Sequence, residues 1–566
     1  MSQQLTYNLL EEAWIPVVDL DGRERLVSLR ELFAQANGLR MISAGLSQTN
    51  FAIVRLAVAI MYRSYYVANL PEGTLRRLWA ELWRRGSFAD GRINRYLDEW
   101  SSRFDLFDDE CPFYQVPGLV YEKGGASSVG LLLPDVPGKP EKFLFSQRAM
   151  QCVESLYFSE AACNLLTVQA WDASGIKSAV VGNTRAKSGR AYPAGVSWCG
   201  NLGGVMLEGE SLFQTLMLNW PLYRPDAAGG TLLGVEGDLP PWELPPQGPD
   251  QRDSEPAGPV QALTWQSRRI RLVPSGDGQR VDGVIMCYGD SASLVDKQGV
   301  EMMTAWKESE AQKKRLGTSY LPLVPERFVS NKAIWRGLSS LLAFGRQSGQ
   351  EVRDLRPGVI KWLGEMWDSS DVLARGQVVS VHGYGCVYGV QNSVVDDAVD
   401  DAFRMSAAMS SPFSQMVYTA IDVVARADKA VGLLVYFVEN VEKSTGDRRL
   451  YSDFKDSAAS AVKADVRELA YSRLDGLFRE RLSRFSPDDD VAHFKRSWLQ
   501  DTCQIVEAVG LEYLGTSPMG SFVGNDDMTV GRALVMFRAS LRKALDLNGR
   551  KGDAGREGSD TEEGEE

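Results

Sequence analysis

The sequence predicts an α+β protein, with a large mixed N-terminal globular domain over residues 1–393 and a C-terminal four-helix bundle over residues 394–548. The chain has 566 residues, of which 44% are apolar and 24% charged, so it is long enough to bury two hydrophobic cores. Short β-like segments alternate with helical ones in the first part. After residue 394, long stretches with few prolines or glycines carry apolar residues at helical spacing.

The N-terminal domain opens with a hairpin pattern. Two β-like segments, Trp14–Leu20 and Arg25–Val27, flank an Asp-Gly turn. Ser28 is followed three residues later by Glu31, the capping-box spacing that predicts the start of a helix. Residues 48–105 then repeat apolar positions at three- and four-residue intervals, which predicts further helix.

A second β-rich region lies in the middle of the chain. Segments Arg268–Val273 and Val281–Tyr288 are joined by a Ser-Gly-Asp-Gly sequence that is typical of a turn. Two stretches rich in proline and glycine, residues 117–140 and 240–259, predict exposed loops because proline cannot donate to a sheet or continue a helix.

The predicted bundle consists of four amphipathic segments. Each carries an apolar series on one face of a 3.6-residue helix, so the four faces can bury one another. From Gly549 onward the sequence has seven acidic and three basic residues and almost no core-forming side chain. This composition predicts a disordered acidic tail over residues 549–566.

Composition also excludes several classes of protein. The formal net charge of −12 excludes a uniformly basic coat but not a local basic groove. Only two histidines are present, His382 and His493, and no two of the seven cysteines form a C-x-x-C pair. No apolar run is long enough to span a membrane, and no signal peptide is evident. We therefore expect a cytoplasmic protein with no membrane association, no metal and no cofactor.

The common catalytic motifs are missing. The sequence contains no phosphate-binding G-x-x-x-x-G-K-[ST] loop, no G-x-S-x-G nucleophile turn and no H-E-x-x-H metal motif, so we predict no catalytic residue and no enzyme activity. One alternative remains open, a metal-dependent nuclease built on Asp396, Asp397, Asp400 and Asp401. On a helix these acids would form two same-face pairs able to hold Mg²⁺, or they would simply favour the helix N-terminus.

Two basic clusters lie in polar segments of the sequence. The first comprises Lys177, Arg185, Lys187 and Arg190, and the second comprises Lys307, Lys313, Lys314 and Arg315. Such clusters can neutralise nucleic-acid phosphates, but most charge clusters of this kind are simply solvated surface. Taken alone they leave nucleic-acid binding open.

Several short segments follow one another in order along the chain: NLL at 8–10, AWIPV at 13–17, PFYQ at 112–115, WDASGIKS at 171–178, LGGVMLE at 202–208, MTAW at 303–306 and YGVQNSVVD at 388–396. Together they resemble the CasA family, the large subunits of the type I-E CRISPR Cascade surveillance complex. The resemblance covers nearly the whole chain except the acidic tail.

The resemblance implies a non-catalytic, DNA-binding role. Members of the family recognise the protospacer-adjacent motif (PAM), start unwinding the target duplex for R-loop formation, and help to recruit a helicase-nuclease effector. The implied partners are the other Cascade subunits, guide RNA, double-stranded target DNA and that effector. A purely structural scaffold subunit remains a second alternative.

The resemblance also implies a set of DNA-binding residues for PAM recognition: Gly175, Ile176, Lys177, Ser178, Lys307, Lys313, Gln391 and Asn392. The first four correspond to the family's glycine loop, where a residue without Cβ lets backbone approach a minor groove only about 6 Å wide. A lysine finger is expected at Lys307, with Lys313 as the second candidate.

The last two residues of the set correspond to the family's glutamine wedge. Gln391, with Asn392 beside it, is expected to insert next to the first base pair and compete for its hydrogen bonds. A polar helix cap would place the same residues in the same position. The segment Phe143–Met150 is the candidate for the family's loop that touches guide RNA.

Overall fold

A computed structural model describes residues 5–67, 71–134, 136, 153–222, 232–348, 351–444, 458–517 and 519–547. The chain divides into two compact units, Met1–Ser414 and Gln415–Glu566. The observed division therefore comes after the boundary predicted at residue 394. The predicted acidic tail, residues 549–566, and the candidate guide-RNA loop, Phe143–Met150, lie outside the described residues.

The strands of the described residues are numbered β1 to β16 in chain order: Ile15–Asp19, Glu24–Val27, Leu39–Ile42, Ser127–Ser128, Leu156–Tyr157, Lys177–Ser178, Arg190–Ala191, Gly204–Glu208, Arg268–Pro274, Arg280–Tyr288, Trp306–Glu308, Leu323–Pro325, Arg346–Ser348, Glu351–Arg353, Val378–Tyr388 and Val395–Ser406.

The helices are numbered α1 to α14 in the same way: Leu29–Ala34, Ser47–Ser64, Glu72–Arg85, Arg92–Glu99, Phe158–Trp171, Leu212–Leu218, Pro259–Leu263, Glu310–Leu316, Leu338–Leu342, Gly358–Ser369, Gln415–Lys443, Ala458–Arg484, Val491–Thr516 and Val530–Ala544. The mixed α+β class predicted from the sequence is confirmed. Among the described residues, no helix combines the length and apolarity needed to cross a bilayer.

The predicted N-terminal hairpin is confirmed. Strands β1 and β2 pair antiparallel and β3 joins the other edge of β1. The capping box also forms, because the Ser28 hydroxyl accepts from the Glu31 N–H at 3.2 Å and the Glu31 carboxylate accepts from the Ser28 N–H at 2.9 Å. These reciprocal bonds satisfy two N–H groups that the first turn of α1 leaves without a helical partner.

Helix α2 is the central element of the first unit. It is buried over nearly its full length and packs against α4, α5 and α7. Its sequence is apolar on almost every face, which is typical of a helix surrounded by other elements. The stretch of residues 48–105 that was predicted to be helical contains three separate helices, α2, α3 and α4.

Two antiparallel sheets organise the middle of the first unit. Strands β9 and β10 form the predicted hairpin, and β10 also pairs with β4 and β5. Strand β15 lies between β16 and β8 in a second sheet. The long β15–β16 hairpin projects the loop that contains Gln391 away from this sheet.

The second unit is helical. Helix α11 packs against α12, α13 and α14, and their mutual core includes buried Leu434, Phe478, Trp498 and Phe537. Residues 445–457 lie outside the described chain, so the count of four helices remains a prediction.

The acidic residues Asp396 to Asp401 do not open the bundle as expected. They lie in β16, because residues 395–406 pair along the whole of β15 instead of forming a helix. Tertiary pairing with an adjacent strand has overridden the local acid-rich pattern that suggested a helix N-terminus. The first bundle helix begins at Gln415.

A buried ion pair fastens α2 to the centre of the first unit. Arg55 donates to both carboxylate oxygens of Glu301, at 3.0 and 2.9 Å, and both side chains are almost completely buried. The same carboxylate accepts from Trp198 Nε1 at 2.7 Å and from the Met303 N–H at 3.0 Å. The two buried charges thus neutralise each other, and the carboxylate gains two further donors, as a buried charge requires.

We expect Glu301→Gln to lower the free energy of unfolding by roughly 3–5 kcal/mol, because it leaves the Arg55 charge buried without a counter-charge. Glu11→Gln is the control, since Glu11 is largely exposed in its pair with Arg30 and its loss should cost about 1 kcal/mol or less. Denaturant unfolding of the full chain, followed by tryptophan fluorescence, measures both. Equal losses of unfolding free energy in the two variants would show that the buried ion pair contributes no more to stability than the exposed one.

Candidate nucleic-acid interface

The predicted glycine loop follows the end of α5 and runs into β6. We call residues 172–178 the glycine turn, and residues from elsewhere in the chain hold it. Arg268, the first residue of β9, donates through Nη2 to the carbonyls of Asp172, Ala173 and Gly195 at 3.1–3.2 Å. The Tyr288 hydroxyl donates to the Gly175 carbonyl at 2.5 Å. The turn is thus fixed from behind, while Ile176 and Ser178 remain exposed.

Asp172 is the electrostatic centre of this turn. Its carboxylate is bonded by Arg268 Nε and lies 2.7 Å from Lys177 Nζ. Burial would raise the pKa of Asp172, but the two adjacent cations outweigh it and hold that pKa below its usual value. Burial lowers the pKa of Lys177, and Asp172 only partly offsets this because Arg268 repels the ammonium.

This arrangement gives Lys177 a structural role. Its side chain is 11% exposed and its ammonium group is bound to Asp172, so it holds the turn together. A second member of the same basic cluster, Arg185, forms an ion pair with Asp253 at 2.9 Å. Two of the four cations in the predicted cluster are therefore neutralised by their own chain.

Gly175 meets no internal requirement for glycine. Its φ is not in the left-handed region, and among the described residues an added Cβ would meet only the Ser393 carbonyl oxygen at 3.6 Å, an ordinary contact. An alanine would therefore fit within the folded protein. No residue that the structure describes therefore requires a glycine at this position.

The predicted wedge residues lie at the tip of the β15–β16 hairpin. Both Gln391 and Asn392 have positive φ, 57° and 54°, and both are exposed. Left-handed backbone is unusual for glutamine and costs on the order of 1–2 kcal/mol. The tip closes through the Asn392 N–H, which donates to the Gly389 carbonyl at 2.8 Å, and the Gly389 N–H, which donates to the Val394 carbonyl at 3.0 Å.

The structure brings the glycine turn and the hairpin tip together. The Ser174 N–H donates to the Asn392 carbonyl at 2.6 Å, and Gly175 lies against Ser393. The glycine turn and the base of the hairpin tip line one cavity of about 820 Å³. Two predicted site segments that are more than two hundred positions apart in sequence thus form one continuous surface.

Two further residues position the hairpin and were not identified from the sequence. The amide of buried Gln48 donates to the carbonyls of Gly385 and Val399, one on each strand, at 3.0 and 3.1 Å. The Tyr388 hydroxyl donates to the Trp171 carbonyl at 2.7 Å, at the end of the helix that leads into the glycine turn. The sequence contains one signal for this role. A glutamine within an apolar helix is expected to be buried, and a buried amide needs hydrogen-bond partners.

Arg268 and Asp172 were also missed, although a signal for their pairing was present. Arg268 opens a strand with a strong apolar component, and it is 3% exposed. A buried arginine needs a carboxylate, which predicts an acidic partner somewhere in the fold. The sequence does not indicate which of its 74 acidic residues fills that role.

Lys307 and Lys313 lie apart from the other predicted residues in the chain. Lys307 is the exposed central residue of β11 and forms no ion pair with the described residues. It lines a separate cavity of about 490 Å³, whose wall also includes Gly195, Arg268 and Tyr288 from behind the glycine turn. Lys313 is half-buried on α8 and does not line this cavity, which favours Lys307 over the second candidate.

The acidic cluster does not have the geometry for the nuclease alternative. Side chains four positions apart lie about 5–6 Å from each other on a helix, but about 13 Å apart along a strand. Asp396 and Asp400, like Asp397 and Asp401, therefore cannot share one metal ion. Asp401 instead accepts from the Ile334 N–H at 2.7 Å. Within the described chain, no group of three or more acidic, histidine or cysteine side chains is placed to hold a metal.

The chain is similar to known proteins over most of its length. A family model described as CRISPR-associated protein Cse1 matches residues 8–509. A CRISPR-associated protein CasA/Cse1 of Thermus thermophilus is 27% identical over 502 residues, covering 84% of this chain and 90% of the relative.

Solved structures give the same result. Cse1 of Thermobifida fusca is 33% identical with a TM-score of 0.84, covering 96% of this chain and 99% of that one. Cse1 of Acidimicrobium ferrooxidans is 27% identical with a TM-score of 0.79 and the same coverage. A chain of a CRISPR RNA-guided surveillance complex shares the fold at 17% identity, with a TM-score of 0.68, over 95% of this chain and 99% of that one.

The charge cluster around Asp172 predicts an acid-sensitive turn. Because the folded-state pKa of Asp172 lies below its unfolded value of about 3.9, its stabilising contribution is complete above that value. The contribution is lost as the pH falls through the lower, folded-state pKa. The wild-type free energy of unfolding should therefore fall more steeply below about pH 4 than that of Asp172→Asn.

Unfolding by denaturant between pH 7 and pH 3 measures this difference in slope. Asp282→Asn is the control, because Asp282 is exposed on β10. It should retain the wild-type dependence on pH. If Asp172→Asn keeps that dependence as well, the carboxylate is not the acid-sensitive group.

Proposed function

Because this chain belongs to the CRISPR-associated protein Cse1 family, we propose that it is the non-catalytic DNA-binding subunit of an RNA-guided CRISPR surveillance complex. In this role it recognises the PAM in double-stranded target DNA, begins to unwind the duplex and helps to recruit the helicase-nuclease. Its partners would be the other Cascade subunits and the guide RNA, in the cytoplasm. A chain with the same fold forms part of a CRISPR RNA-guided surveillance complex, which supports this assignment.

One observation carries the proposal, the hydrogen bond between Ser174 and Asn392. It joins a backbone turn, whose glycine none of the described residues requires, to a hairpin tip in left-handed conformation. Such strain is retained where the surrounding structure enforces it, and it is concentrated at binding sites. The turn and the hairpin tip are therefore suited to contact neighbouring base pairs of a duplex, the turn through its backbone and the tip through a side chain.

The proposed roles follow from these positions. Gly175 allows backbone to approach the floor of the narrow minor groove. Gln391 competes for hydrogen bonds at the first base pair beyond the PAM, where unstacking costs about a few kcal/mol. Lys307, unpaired among the described residues, contributes a cation that reaches groove acceptors or phosphate. Lys177 acts indirectly, by holding the turn through Asp172.

The scaffold alternative predicts the opposite result for substitutions at the same residues. If the chain only spaces its neighbours, an alanine at Gly175 changes nothing, since the interior accommodates it. The nuclease alternative has no support in the strand geometry of the acidic cluster. A test at Gly175 therefore separates the two remaining hypotheses.

We expect Gly175→Ala to leave the free energy of unfolding within about 0.5 kcal/mol of wild type, as for a surface substitution without a special contact. The complex containing it should bind PAM-containing duplex about tenfold more weakly, equivalent to ~1.4 kcal/mol, because the new methyl group holds the backbone away from the groove.

The control is Gly276→Ala in the β9–β10 turn, where an added Cβ also has open space and φ is not positive. Band-shift titrations of reconstituted complex, with and without a PAM in the duplex, measure the effect. Unchanged PAM-dependent affinity in Gly175→Ala would support the scaffold hypothesis.

Gln391→Ala should separate binding from strand opening. Duplex affinity comes mainly from phosphate and groove contacts, so the variant complex should bind PAM duplex almost normally. It should form R-loops at least several-fold more slowly, because separation of the first base pair precedes guide pairing. Pre-melting the first base pairs with mismatches between the DNA strands should restore the rate.

Gln279→Ala, an exposed glutamine in the β9–β10 turn, is the matched control and should open target DNA at the wild-type rate. Stopped-flow fluorescence from a base analogue next to the PAM follows opening directly. If pre-melted DNA brings no recovery of Gln391→Ala relative to wild type, Gln391 is a turn residue and not a wedge.

A further inference from the structure

Helix α14 has an exposed side that carries positive charge and no negative charge. Its sequence, VGRALVMFRASLRKA, contains four basic residues and no acidic one. The buried side chains follow one side of the helix, where it packs on α11. Helical periodicity places Arg532 and Lys543 on the opposite side with Arg542 next to them, and all three are exposed. We call these three residues the cationic face of α14.

The described residues give the cationic face no counter-charge. Arg542 and Lys543 form no ion pair within the described chain, and the Arg532 guanidinium bonds only to the Asp527 carbonyl, at 3.2 Å. The fourth cation of the helix, Arg538, is paired with an acid of α13. Arg532 also lies in the first turn, where the helix macrodipole disfavours a cation. Stability of the helix therefore does not account for its charge.

Residues 557–566 are the complement of this face in charge. Their sequence, EGSDTEEGEE, contains six acidic residues and no basic one. They lie outside the described residues, and only nine positions, 548–556, separate them from Leu547 just after α14. A dense acidic segment thus follows a helix that carries only cations.

The connection is long enough for these acids to return to α14. It contains three glycines in nine residues. A glycine-rich chain of nine residues has a root-mean-square span of about 15–18 Å. Helix α14, with 15 residues, is about 22 Å long. A tether of this length gives an effective concentration of about millimolar, so even weak ion pairing is sufficient to populate the contact.

We propose that residues 557–566 bind the cationic face of α14 within the same chain and shield it from other polyanions. The acidic side chains pair with Arg532, Arg542 and Lys543. Because these pairs form on an exposed surface, salt weakens the contact. The contact lies entirely within the second unit, so it does not depend on PAM recognition.

Carbodiimide cross-linking of the full chain tests the contact, because this reagent joins a lysine amine to a carboxylate without a spacer. Mass spectrometry of the monomer band should recover Lys543 joined to an acid of residues 557–566. The yield should fall at least threefold in Arg542→Gln, which keeps the reporter amine and removes a neighbouring cation. It should fall likewise in about 1 M NaCl, where the Debye length is about 3 Å.

Arg467→Gln is the matched control, because Arg467 is exposed on α12 and also has no ion pair within the described chain. Its yield of the Lys543 cross-link should equal that of wild type. Equal yields in Arg542→Gln and Arg467→Gln would overturn the proposal, since the tether alone would then bring the two groups together. A Lys543 cross-link confined to the dimer band would also overturn it, because the acids would then contact a second copy of the chain.

Shielding is measured with a short fluorescent inorganic polyphosphate. Changing the four glutamates of residues 562–566 to glutamine should strengthen its binding about threefold or more, because the cationic face is released. The same change should bring no gain in a chain that carries Arg532→Gln, Arg542→Gln and Lys543→Gln, since the two sets of residues then no longer interact. An equal gain in both backgrounds would show that the acids act through net charge alone, and the docking would be wrong.

Discussion

The bond between Asp172 and Arg268 is the constraint on which the candidate interface depends. Arg268 is anchored in a sheet strand, and its guanidinium both neutralises Asp172 and bonds three carbonyls around the turn. A turn between a helix and a two-residue strand has few backbone bonds of its own. Charge-assisted bonds to a rigid strand replace them, so the turn keeps one conformation without occupying its outward surface.

The hairpin tip is held by a different set of hydrogen bonds, to α2 and to the end of α5 next to the glycine turn. Gln48 ties both hairpin strands to the central helix α2, and Tyr388 ties the hairpin to the end of α5. The strain at Gln391 and Asn392 is therefore held by contacts some distance from the tip. This separation leaves the side chains of the tip exposed while their backbone is fixed, as binding to a preformed geometry requires.

The distribution of charge shows how an acidic chain can still present unpaired cations at one site. The net charge is −12, yet Lys307, Arg315 and Arg327 line one cavity and have no carboxylate partner among the described residues. Other basic residues, such as Lys177 and Arg185, are bound to acids of the same chain. Local fields depend on which charges are left unpaired, so net charge is a poor guide to the binding surface.

Much of the local structure could be predicted from the sequence. The hairpin and capping box at the N-terminus, the β9–β10 hairpin and the helical second unit follow from spacing and turn chemistry, which act over a few residues. The segments at Gly175 and Gln391 were identified by resemblance, because short motifs persist in order along the chain. Only the tertiary structure decided that Asp396 to Asp401 form a strand, that Lys177 is an internal counter-ion, and that Ser174 meets Asn392. The reason is physical: these outcomes depend on pairing between groups whose positions the fold decides, and the energies of such pairs exist only after the chain has folded and excluded water from between them.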